Sequence, residues 1–249
     1  YLTEKVSQSV SPSQFFVDAV ANGAQSNSWV EFPDVVENLL TDAITATAGA
    51  LRFLSGSAFH IRGGEIKRNH AIYNSVAEIT LCLGNNSSIH GLDDQRTQIS
   101  GNEAHEVPQF FYGGASLFQI VMCDFEIKTS WISSNVGASF TSGFFGTFAT
   151  LNFDDCIFDT KPNLDAPRLN GGYINAGSEA KLNINKCIFK NGKADVGGAI
   201  NGSNTGEIEI SNSQFLNNFA DEGGAIRISN GRQINFKGDN FFLGNRAEQ

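Results

Sequence analysis

The feature that most constrains the fold of this chain is an ungapped repeat near its C-terminal end. The segment CIFKNGKADVGGAI at residues 187–200 matches SQFLNNFADEGGAI at residues 213–226, so that Phe189 corresponds to Phe215 at an offset of 26 residues. A shorter third copy, NFFLGNRAE, places Phe242 one residue beyond that offset. Self-similarity at a fixed period of this length is typical of solenoids, in which each repeat is one structural unit.

Each repeated Phe follows a short alternating pattern, with apolar residues seven and five positions before it and a small residue two before it. Alternation with a period of two predicts a half-buried strand, and the change of phase before the small residue predicts a corner. Short strands and corners without helices between them predict a right-handed parallel β-helix, in which equivalent residues stack in columns. The predicted columns are Phe125, Phe158, Phe189, Phe215 and Phe242 for the aromatic position, and Cys123, Cys156, Cys187, Ser213 and Asn240 for the small one.

The corners of the repeat carry glycine pairs and asparagines. Glycine is expected where the backbone needs a positive φ or approaches a neighbouring unit closely, and an Asn amide can satisfy the backbone groups of a corner. A β-sandwich is the alternative fold, because Asn230-Gly231 matches a hairpin turn, but the ungapped repeat favours the solenoid. The structural repeat motif consists of Phe189, Gly197, Gly198, Phe215, Asn218, Gly223, Gly224, Phe242 and Asn245.

The N-terminal fifth of the chain differs from the rest. Residues 1–50 predict a short helical cap, because capping boxes occur at residues 11–14 and 34–37. Such a cap would cover the open apolar end of a parallel β-helix that spans residues 51–249. The third copy of the repeat stops in mid-unit at Gln249, so we expect the β-helix to be truncated there and further units or a subunit to stack on its end.

The Gly-Gly-Ala-Ile corner, preceded by Phe and Asn three residues apart, resembles the repeat of the chlamydial polymorphic membrane proteins. The matching residues are Phe215, Asn218 and Gly223–Ile226, with Phe189 and Gly197–Ile200 as a second copy that has Gly192 in place of the Asn, and Phe242 with Asn245 as a truncated third. The resemblance covers about residues 118–249. It implies a right-handed β-helix on an exported surface protein, which in that family is often an adhesin region.

Charge and cysteine usage exclude several classes of function. The chain has 17 Lys and Arg against 26 Asp and Glu, and its net charge of −9 argues against a nucleic-acid partner. No apolar run approaches the roughly 18 residues of a membrane-spanning helix. The cysteines lack the spacing of a zinc site, and we expect Cys123, Cys156 and Cys187 to be buried, unpaired thiols. Glycosylation sequons occur at Asn85, Asn86 and Asn201.

No convergent catalytic set is evident, so no catalytic residue is assigned. The best candidates for acid–base chemistry are two groups of polar residues, although Asp also favours corners. They are His90 with Asp93, Asp94 and Arg96, and the pair Asp154-Asp155. Outward aromatic side chains such as Trp131 or Tyr173 could bind sugars.

One acidic residue per repeat falls at the same corner, at Asp195, Asp221 and Glu248. Like charges stacked about 4.8 Å apart repel one another, so a cation such as calcium could bridge this column. No other cofactor or metal is expected.

These features predict a non-catalytic extracellular or cell-surface β-helix module for adhesion or structural assembly. Its expected location is secreted or at the cell surface, and its expected partners are further β-helix units or subunits stacked end-on, with host or matrix glycans or proteins. The alternatives are a polysaccharide-active enzyme, either a lyase or a glycoside hydrolase, and a carbohydrate-binding β-helix. A cleft with carboxylates from several units would favour the enzyme, whereas a uniform face favours the module.

Overall fold

The computed structural model of the chain is all-β. It describes residues 17–20, 27–30, 34–36, 51–54, 58–67, 70–71, 77–80, 86–91, 95–104, 117–136, 143–159, 170–231 and 233–248. Within these ranges there is no helix, and the strands pair in parallel. Long parallel sheets of this kind are consistent with a β-helix or another β-solenoid.

The described strands, in chain order, are β1 (Val17–Val20), β2 (Asn27–Val30), β3 (Asp34–Val36), β4 (Leu51–Leu54), β5 (Ala58–Arg62), β6 (Glu65–Lys67), β7 (His70–Ala71), β8 (Ala77–Thr80), β9 (Asn86–His90), β10 (Thr97–Ser100), β11 (Glu103–Ala104), β12 (Phe118–Val121), β13 (Asp124–Ser133), β14 (Phe144–Thr147), β15 (Thr150–Asp159), β16 (Ile174–Ala176), β17 (Lys181–Asn185), β18 (Ile188–Lys190), β19 (Lys193–Val196), β20 (Ile200–Ser203), β21 (Glu207–Ser211), β22 (Gln214–Leu216), β23 (Phe219–Glu222), β24 (Ile226–Ser229), β25 (Gln233–Lys237), β26 (Phe241–Leu243) and β27 (Arg246–Ala247).

These strands form two long sheets and two short ones. One long sheet has the order β1-β4-β8-β12-β14-β16-β20-β24. The other has the order β2-β5-β9-β13-β15-β17-β21-β25, with β3, β6, β10, β18, β22 and β26 paired beside that path. The short sheets are β19-β23-β27 and β7-β11. Neighbours in each sheet come from successive stretches of the chain, which we call repeat units.

A file of stacked phenylalanine rings runs through the C-terminal units. Phe158, Phe189, Phe215 and Phe242 are register partners in that order. Their ring centroids lie 4.4, 5.0 and 4.8 Å apart, and neighbouring rings are tilted by at most 10°. The first three rings are fully buried, while Phe242 is partly exposed at the edge of the stack. The 26-residue offset in the sequence is therefore the register offset between Phe189 and Phe215 in this file.

The predicted aromatic column is wrong at its N-terminal member, Phe125. Phe125 pairs with Leu151, whereas the partner of Phe158 is Ile132. The reason is that β13 is a ten-residue strand that continues through a corner at Thr129, where φ is +47°. Phe125 lies before that corner and Phe158 lies after the equivalent one, so the two similar motifs occupy different positions in their units.

The cysteine prediction is confirmed for two residues and wrong for the third. Cys156 and Cys187 are free and buried. Cys123 is disulfide-bonded, and Ser130 rather than Cys123 is the register partner of Cys156. Burial, followed by the neighbouring Cys187 thiol, raises the pKa of Cys156 well above its usual value, so this thiol is held protonated.

The predicted N-terminal helical cap is also wrong for the part of residues 1–50 that the structure describes. Val17–Val20 and Asp34–Val36 are strands that pair in parallel with Leu51–Leu54 and Glu65–Lys67. Valine is β-branched and suits a pleated, half-buried surface. Pairing with the next unit thus outweighs the local capping signals, which lie mostly outside the described residues.

One corner of each unit is held by a small side chain that bonds to the backbone. The residue before it has a positive φ, as at Thr129, Asp155, Lys186 and Asn212. The small side chain then donates to the carbonyl group two residues upstream, as Ser130, Cys156, Cys187 and Ser213 do. Both serine and cysteine occur in this column, because each supplies one hydrogen-bond donor in a small volume.

A second corner is held by asparagine. The Nδ2 of Asn218 donates to the Phe189 carbonyl oxygen at 3.0 Å, and its Oδ1 accepts the backbone N–H of Gly192 at 2.9 Å. Asn245 repeats these bonds one unit later, to the Phe215 carbonyl oxygen at 2.8 Å and from the N–H of Asn218 at 3.0 Å. Each amide therefore links backbone groups of more than one unit, which satisfies buried polar groups that water does not reach.

The glycine pairs occupy a third corner for two separate reasons. Gly197 and Gly223 have φ angles of +63° and +65°, a conformation that residues with a Cβ seldom adopt. Gly198 and Gly224 instead lie against the backbone of the next unit, and a Cβ on Gly198 would come within 2.1 Å of the Gly224 carbonyl oxygen. The two glycines of a pair are thus required by conformation and by close packing respectively.

Candidate functional site

The second long sheet turns one row of side chains inward and the alternate rows outward; we call its outer side the polar face. Ile61, Ile89 and Ile127 are register neighbours on the inner side and are buried. Two outward columns flank this inner row. They are His60, Ser88, Glu126, Asn152, Asn183, Glu209 and Asn235, and Arg62, His90, Lys128, Asp154, Asn185, Ser211 and Lys237.

The N-terminal part of the polar face is a group of six side chains from β5, β9 and β13, which we call the basic cluster: His60, Arg62, Ser88, His90, Glu126 and Lys128. The carboxylate of Glu126 lies at its centre. Its Oε2 is 2.9 Å from Nε2 of His90, and its Oε1 is 2.8 Å from Nζ of Lys128. Beside this arrangement, Nδ1 of His60 lies 2.8 Å from Oγ of the buried Ser88.

Two groups of the basic cluster have shifted pKa values. Partial burial opposes the ionisation of Glu126, but hydrogen bonds from Lys128 and His90 outweigh it, and the pKa of Glu126 falls below its usual value. Burial, followed by the nearby charges of His90 and Arg62, lowers the pKa of His60. At neutral pH the cluster therefore holds an ionised Glu126 and a neutral His60.

The remainder of the polar face consists of amides, hydroxyls and paired charges. Nδ2 of Asn183 donates to Oδ1 of Asn152 at 2.8 Å, one unit earlier. Nδ2 of Asn185 donates to Oδ1 of Asp154 at 2.8 Å in the adjacent column. These bonds run along the stack from unit to unit, so they link the side chains of successive units instead of converging on one point.

The acid–base candidates from the sequence are distributed over different contacts. His90 pairs with Glu126, and Arg96 pairs with Asp155 at 2.7 Å between Nη2 and Oδ1 and also donates to the Asp155 carbonyl oxygen. Asp154 lies in the polar face, whereas Asp155 is a corner residue with φ of +51°. Asp154 and Asp155 thus lie at two different kinds of position, one on the polar face and one at a corner. Asp93 and Asp94 lie outside the described residues.

The acidic column keeps the predicted alignment. Asp195 and Asp221 follow the register pair Ala194 and Ala220, and Glu248 follows Ala247, which is the next member. The part of the chain that the structure describes contains no group of three or more His, Cys, Asp or Glu residues arranged to hold a metal ion. The cation column of Asp195, Asp221 and Glu248 stays a prediction.

The two aromatic candidates differ in exposure. Trp131 is 42% exposed, as an outward sugar-binding side chain would be. The same prediction is wrong for Tyr173, which is 1% exposed and donates its hydroxyl to the Lys190 carbonyl oxygen. A tyrosine in this repeat thus fills the interior and uses its hydroxyl to satisfy a buried backbone group.

The sequons also differ in exposure. Asn86 is exposed at the start of β9. Asn201 is buried, and its Nδ2 donates to Oδ1 of Asn175 at 3.2 Å, so its amide is engaged inside the fold. Asn85 lies outside the described residues.

Sequence reasoning singled out His90 but missed its partner Glu126 and the neighbouring His60 and Ser88. Glu126 follows His90 by 36 residues, and His60 precedes Ser88 by 28. These unequal separations hide the register that brings them together. A usable signal was the charge alternation in β13, where Asp124, Glu126 and Lys128 alternate with the buried Phe125 and Ile127.

Comparisons with protein-family models, curated proteins and solved structures found no match to this chain. The resemblance to the chlamydial repeat therefore stays a prediction that rests on the motif alone. Within the described residues, no helix has the length and apolarity needed to cross a membrane.

Acid should destabilise the fold through the two shifted groups. A lowered pKa means that the folded state binds fewer protons than the unfolded state, so stability falls as the pH falls. The His60 contribution should be lost below an unfolded pKa of about 6.5, and that of Glu126 below about 4.3, towards the folded pKa in each case. Both groups are partly exposed, and solvent screens their interactions, so we expect less than about 1 kcal/mol from each.

Urea unfolding between pH 7 and pH 4 measures this effect. Glu126→Gln should flatten the profile at the acid end, and His60→Gln should flatten it between pH 6.5 and pH 5. Glu207→Gln, an exposed substitution on the same face, serves as the matched control and should keep the parental profile. Identical profiles for all four proteins would contradict the assignment.

Proposed function

We propose that this chain is a right-handed parallel β-helix that acts as a non-catalytic surface module for adhesion or structural assembly, secreted or held at the cell surface. The observation that supports this function most is the polar face. Its outward side chains bond to one another from unit to unit, as Asn183 to Asn152 and Asn185 to Asp154. A face whose side chains bond to one another along the stack suits the recognition of an extended partner better than it suits the enclosure of a small substrate.

The interior supports a mechanically rigid module. The Phe file and the Asn218 and Asn245 amides connect successive units through stacked rings and buried hydrogen bonds. Protein interiors packed in this way deform little. A stiff stack therefore keeps the spacing of its outward side chains constant, which is the property that a long adhesive surface needs.

The last described strands support assembly by end-on stacking. Their apolar side chains remain exposed, namely Ile234, Phe236, Phe241, Phe242 and Leu243. Parallel edge strands also present unpaired backbone groups, which proteins usually pair or cover. We propose that a further unit or a subunit covers this surface and continues the columns.

A polysaccharide-active enzyme or a carbohydrate-binding β-helix is the second candidate function. The contact that favours it is the His90–Glu126 pair next to Lys128 on an open face. An imidazole and a carboxylate in contact can exchange protons with a bound sugar. The first proposal has priority because a second carboxylate does not converge on this pair among the described residues of the polar face.

Surface location and catalysis can be tested together in the source cells and with the purified chain. Intact cells are treated with a protease, and the released peptides and the culture medium are analysed by mass spectrometry. The purified protein is incubated with acidic and neutral polysaccharides and assayed for new reducing ends and unsaturated products. We expect peptides from residues 118–249 in the surface or medium fraction and no cleavage products.

Two results would contradict this proposal. Peptides found only after cell lysis would exclude the surface location. Polysaccharide cleavage that is lost in Glu126→Gln but kept in Glu207→Gln would assign an enzyme active site to the basic cluster.

A further inference from the structure

We infer that a second outward face of the molecule binds a neutral, extended β-linked glycan through the apolar side of its sugar rings. This face, which we call the tryptophan face, is the outward side of β10, of β13 and β15 after their corner, and of β18 and β22. The inference rests on the proposed function, because it names the class of partner that the surface module would recognise. It adds a binding site that is separate from the polar face.

The first argument is a row of apolar side chains that point away from the core. Trp131, Ile157 and Ile188 are register partners in successive strands. The next residue in each of these strands is buried in the core, so the alternation of a strand turns the row outward. Trp131 is 42% exposed, and the two isoleucines are partly exposed. Single exposed apolar residues are ordinary, but a contiguous row of them is typical of an interaction surface.

The stability of the sheet accounts for only part of this row. Ile157 and Ile188 are β-branched, and such side chains suit a pleated surface whether or not they bind a ligand. The exposed part of the Trp131 indole gains nothing from burial, because folding leaves it in contact with water. A large, rigid aromatic ring in this position suits stacking against the C–H groups on the face of a sugar ring.

The second argument is the position of the polar groups around the row. Gln98 is the register partner of Trp131 on one side, and Gln214 is the partner of Ile188 on the other. Ser133 lies two residues after Trp131 in β13 and therefore on the same side of the sheet. Sugar rings have apolar faces and hydroxyl groups at their edges. An apolar floor with amides at its two ends and a hydroxyl beside it therefore matches such a ligand.

The third argument is charge complementarity, which favours an uncharged ligand. From β10 to β22 the charged side chains in the two outward columns of this face are Asp159 and Lys190. Oδ2 of Asp159 lies 2.8 Å from Nζ of Lys190, and Oδ1 accepts a hydrogen bond from Nδ2 of Asn191 at 2.9 Å. The charges of the face therefore cancel, although the whole chain has a net charge of −9. A neutral glycan can lie on this surface without stripping water from an unpaired charge.

The fourth argument is size. The row from Gln98 to Gln214 spans four strand spacings, or about 19 Å, and its two columns make the face about 10 Å wide. The resulting area of roughly 200 Å² is far below the 800 Å² or so per partner that a stable dimer buries. A single glycan chain fits this area. Each strand spacing is also close to the length of one sugar residue in an extended β-linked chain, so successive sugars can lie over successive strands.

The experiment measures binding of defined oligosaccharides by calorimetry at low and at physiological salt, together with tryptophan fluorescence. The probes are cellohexaose and N-acetylchitohexaose, which are extended and β-linked, and maltohexaose, whose α-linked chain coils. The protein variants are Trp131→Ala and Trp131→Phe. Phe148→Ala is the matched control, because Phe148 is an aromatic residue of similar exposure, 53%, that lies at a different corner.

We expect at least one of the β-linked probes to bind, with a Kd that changes by less than about twofold between the two salt concentrations. Maltohexaose should bind at least about tenfold more weakly. Trp131→Ala should raise the Kd by about tenfold, Trp131→Phe by only about threefold, and Phe148→Ala should leave it unchanged. Binding should change the tryptophan fluorescence of the parent protein, and Trp131→Phe should bind without that change. A purely structural role of Trp131 would not couple the fluorescence to the ligand.

Circular dichroism melting confirms that each variant folds. If Trp131→Ala does not fold, Ile157→Thr decides instead, because it keeps a β-branched side chain and removes apolar contact from the row. We expect this variant to raise the Kd by about threefold.

Failure to bind either β-linked probe, equal binding of maltohexaose, or an equal loss in Phe148→Ala would overturn the inference. Binding that weakens about tenfold at physiological salt would also overturn it, because charge and not stacking would then hold the ligand. Self-association that is lost in Trp131→Ala, measured by analytical ultracentrifugation in the absence of glycan binding, would assign the face to a second copy of the chain.

These results would leave the surface location untouched, since protease treatment of intact cells tests that location independently. A glycan-binding protein found only inside cells would give the reverse outcome, in which the inference holds and the proposed function fails.

Discussion

Phe215→Ala is expected to lower the free energy of unfolding by about 3–5 kcal/mol, because it removes a buried ring and leaves a cavity. The ring of Phe215 is fully buried and stacks on Phe189 at 5.0 Å and on Phe242 at 4.8 Å. Alanine would leave two neighbouring rings without a partner between them. Backbone pairing with the adjacent units prevents the surroundings from collapsing into the space.

Urea and thermal unfolding of Phe215→Ala, compared with Phe241→Ala, measure this effect. Phe241 lies in the next unit and is 54% exposed, so its truncation should change the stability by less than about 1 kcal/mol. If Phe215→Ala melts within about a degree of the parent protein, the Phe file is not the core and the register is wrong.

Gly198→Ala is the second large effect, and we expect it to cost about 3 kcal/mol or more. A Cβ at this position would lie 2.1 Å from the Gly224 carbonyl oxygen and 2.7 Å from the Phe219 backbone nitrogen. Both contacts are backbone atoms of the following unit, so neither can move without breaking the parallel pairing. The added methyl would force the two units apart at this corner.

Gly206→Ala is the matched control for this substitution. Its nearest contact would be 3.2 Å, from the Glu179 carbonyl oxygen, which a small shift relieves. Equilibrium unfolding should therefore show a much smaller loss for Gly206→Ala than for Gly198→Ala. Equal stabilities for the two variants would mean that successive units are not packed backbone to backbone at the glycine pair.

The fold could be predicted where the repeat is ungapped. Between Phe189 and Phe215 every position keeps one offset, so periodicity alone gave the strand pairing and the aromatic file. It failed at Phe125, where a long strand continues through a corner and makes two different positions look alike in sequence. Local similarity cannot distinguish two corners of the same unit, because both consist of a small residue that follows a residue with a positive φ.

The first fifty residues show a second limit of the sequence. Capping boxes are local signals of modest energy, whereas a strand such as β1 or β3 gains pairing with a whole neighbouring unit. The sequence shows a capping box directly. It shows a strand pairing only when the partner strand is recognised, and the irregular spacing of the early units conceals that partner.

The candidate site was predictable in part. His90 drew attention as a polar residue near carboxylates, and Trp131 as an outward aromatic, but the basic cluster depends on register between β5, β9 and β13. Its members come from units of unequal length, so no fixed offset relates them. Only the strand pairing shows which residues share a column, and therefore which charged side chains come into contact.

The parallel, in-register stack is the central claim, and electron paramagnetic resonance tests it most directly. Nitroxide labels are attached to cysteines introduced at Asn183 and Glu209, in a background with Cys156→Ser and Cys187→Ser; serine already occupies that column at Ser213. The two labelled positions are direct partners, so their backbones should lie about 4.8 Å apart. We predict strong dipolar broadening.

Labels at Glu126 and Glu209 provide the comparison, because three strand spacings, or about 14 Å, separate them in the same column. The account predicts distinctly weaker broadening for this pair than for the pair at Asn183 and Glu209. Equal broadening for the two pairs, or none for Asn183 and Glu209, would contradict the parallel stack and favour strands joined in hairpins.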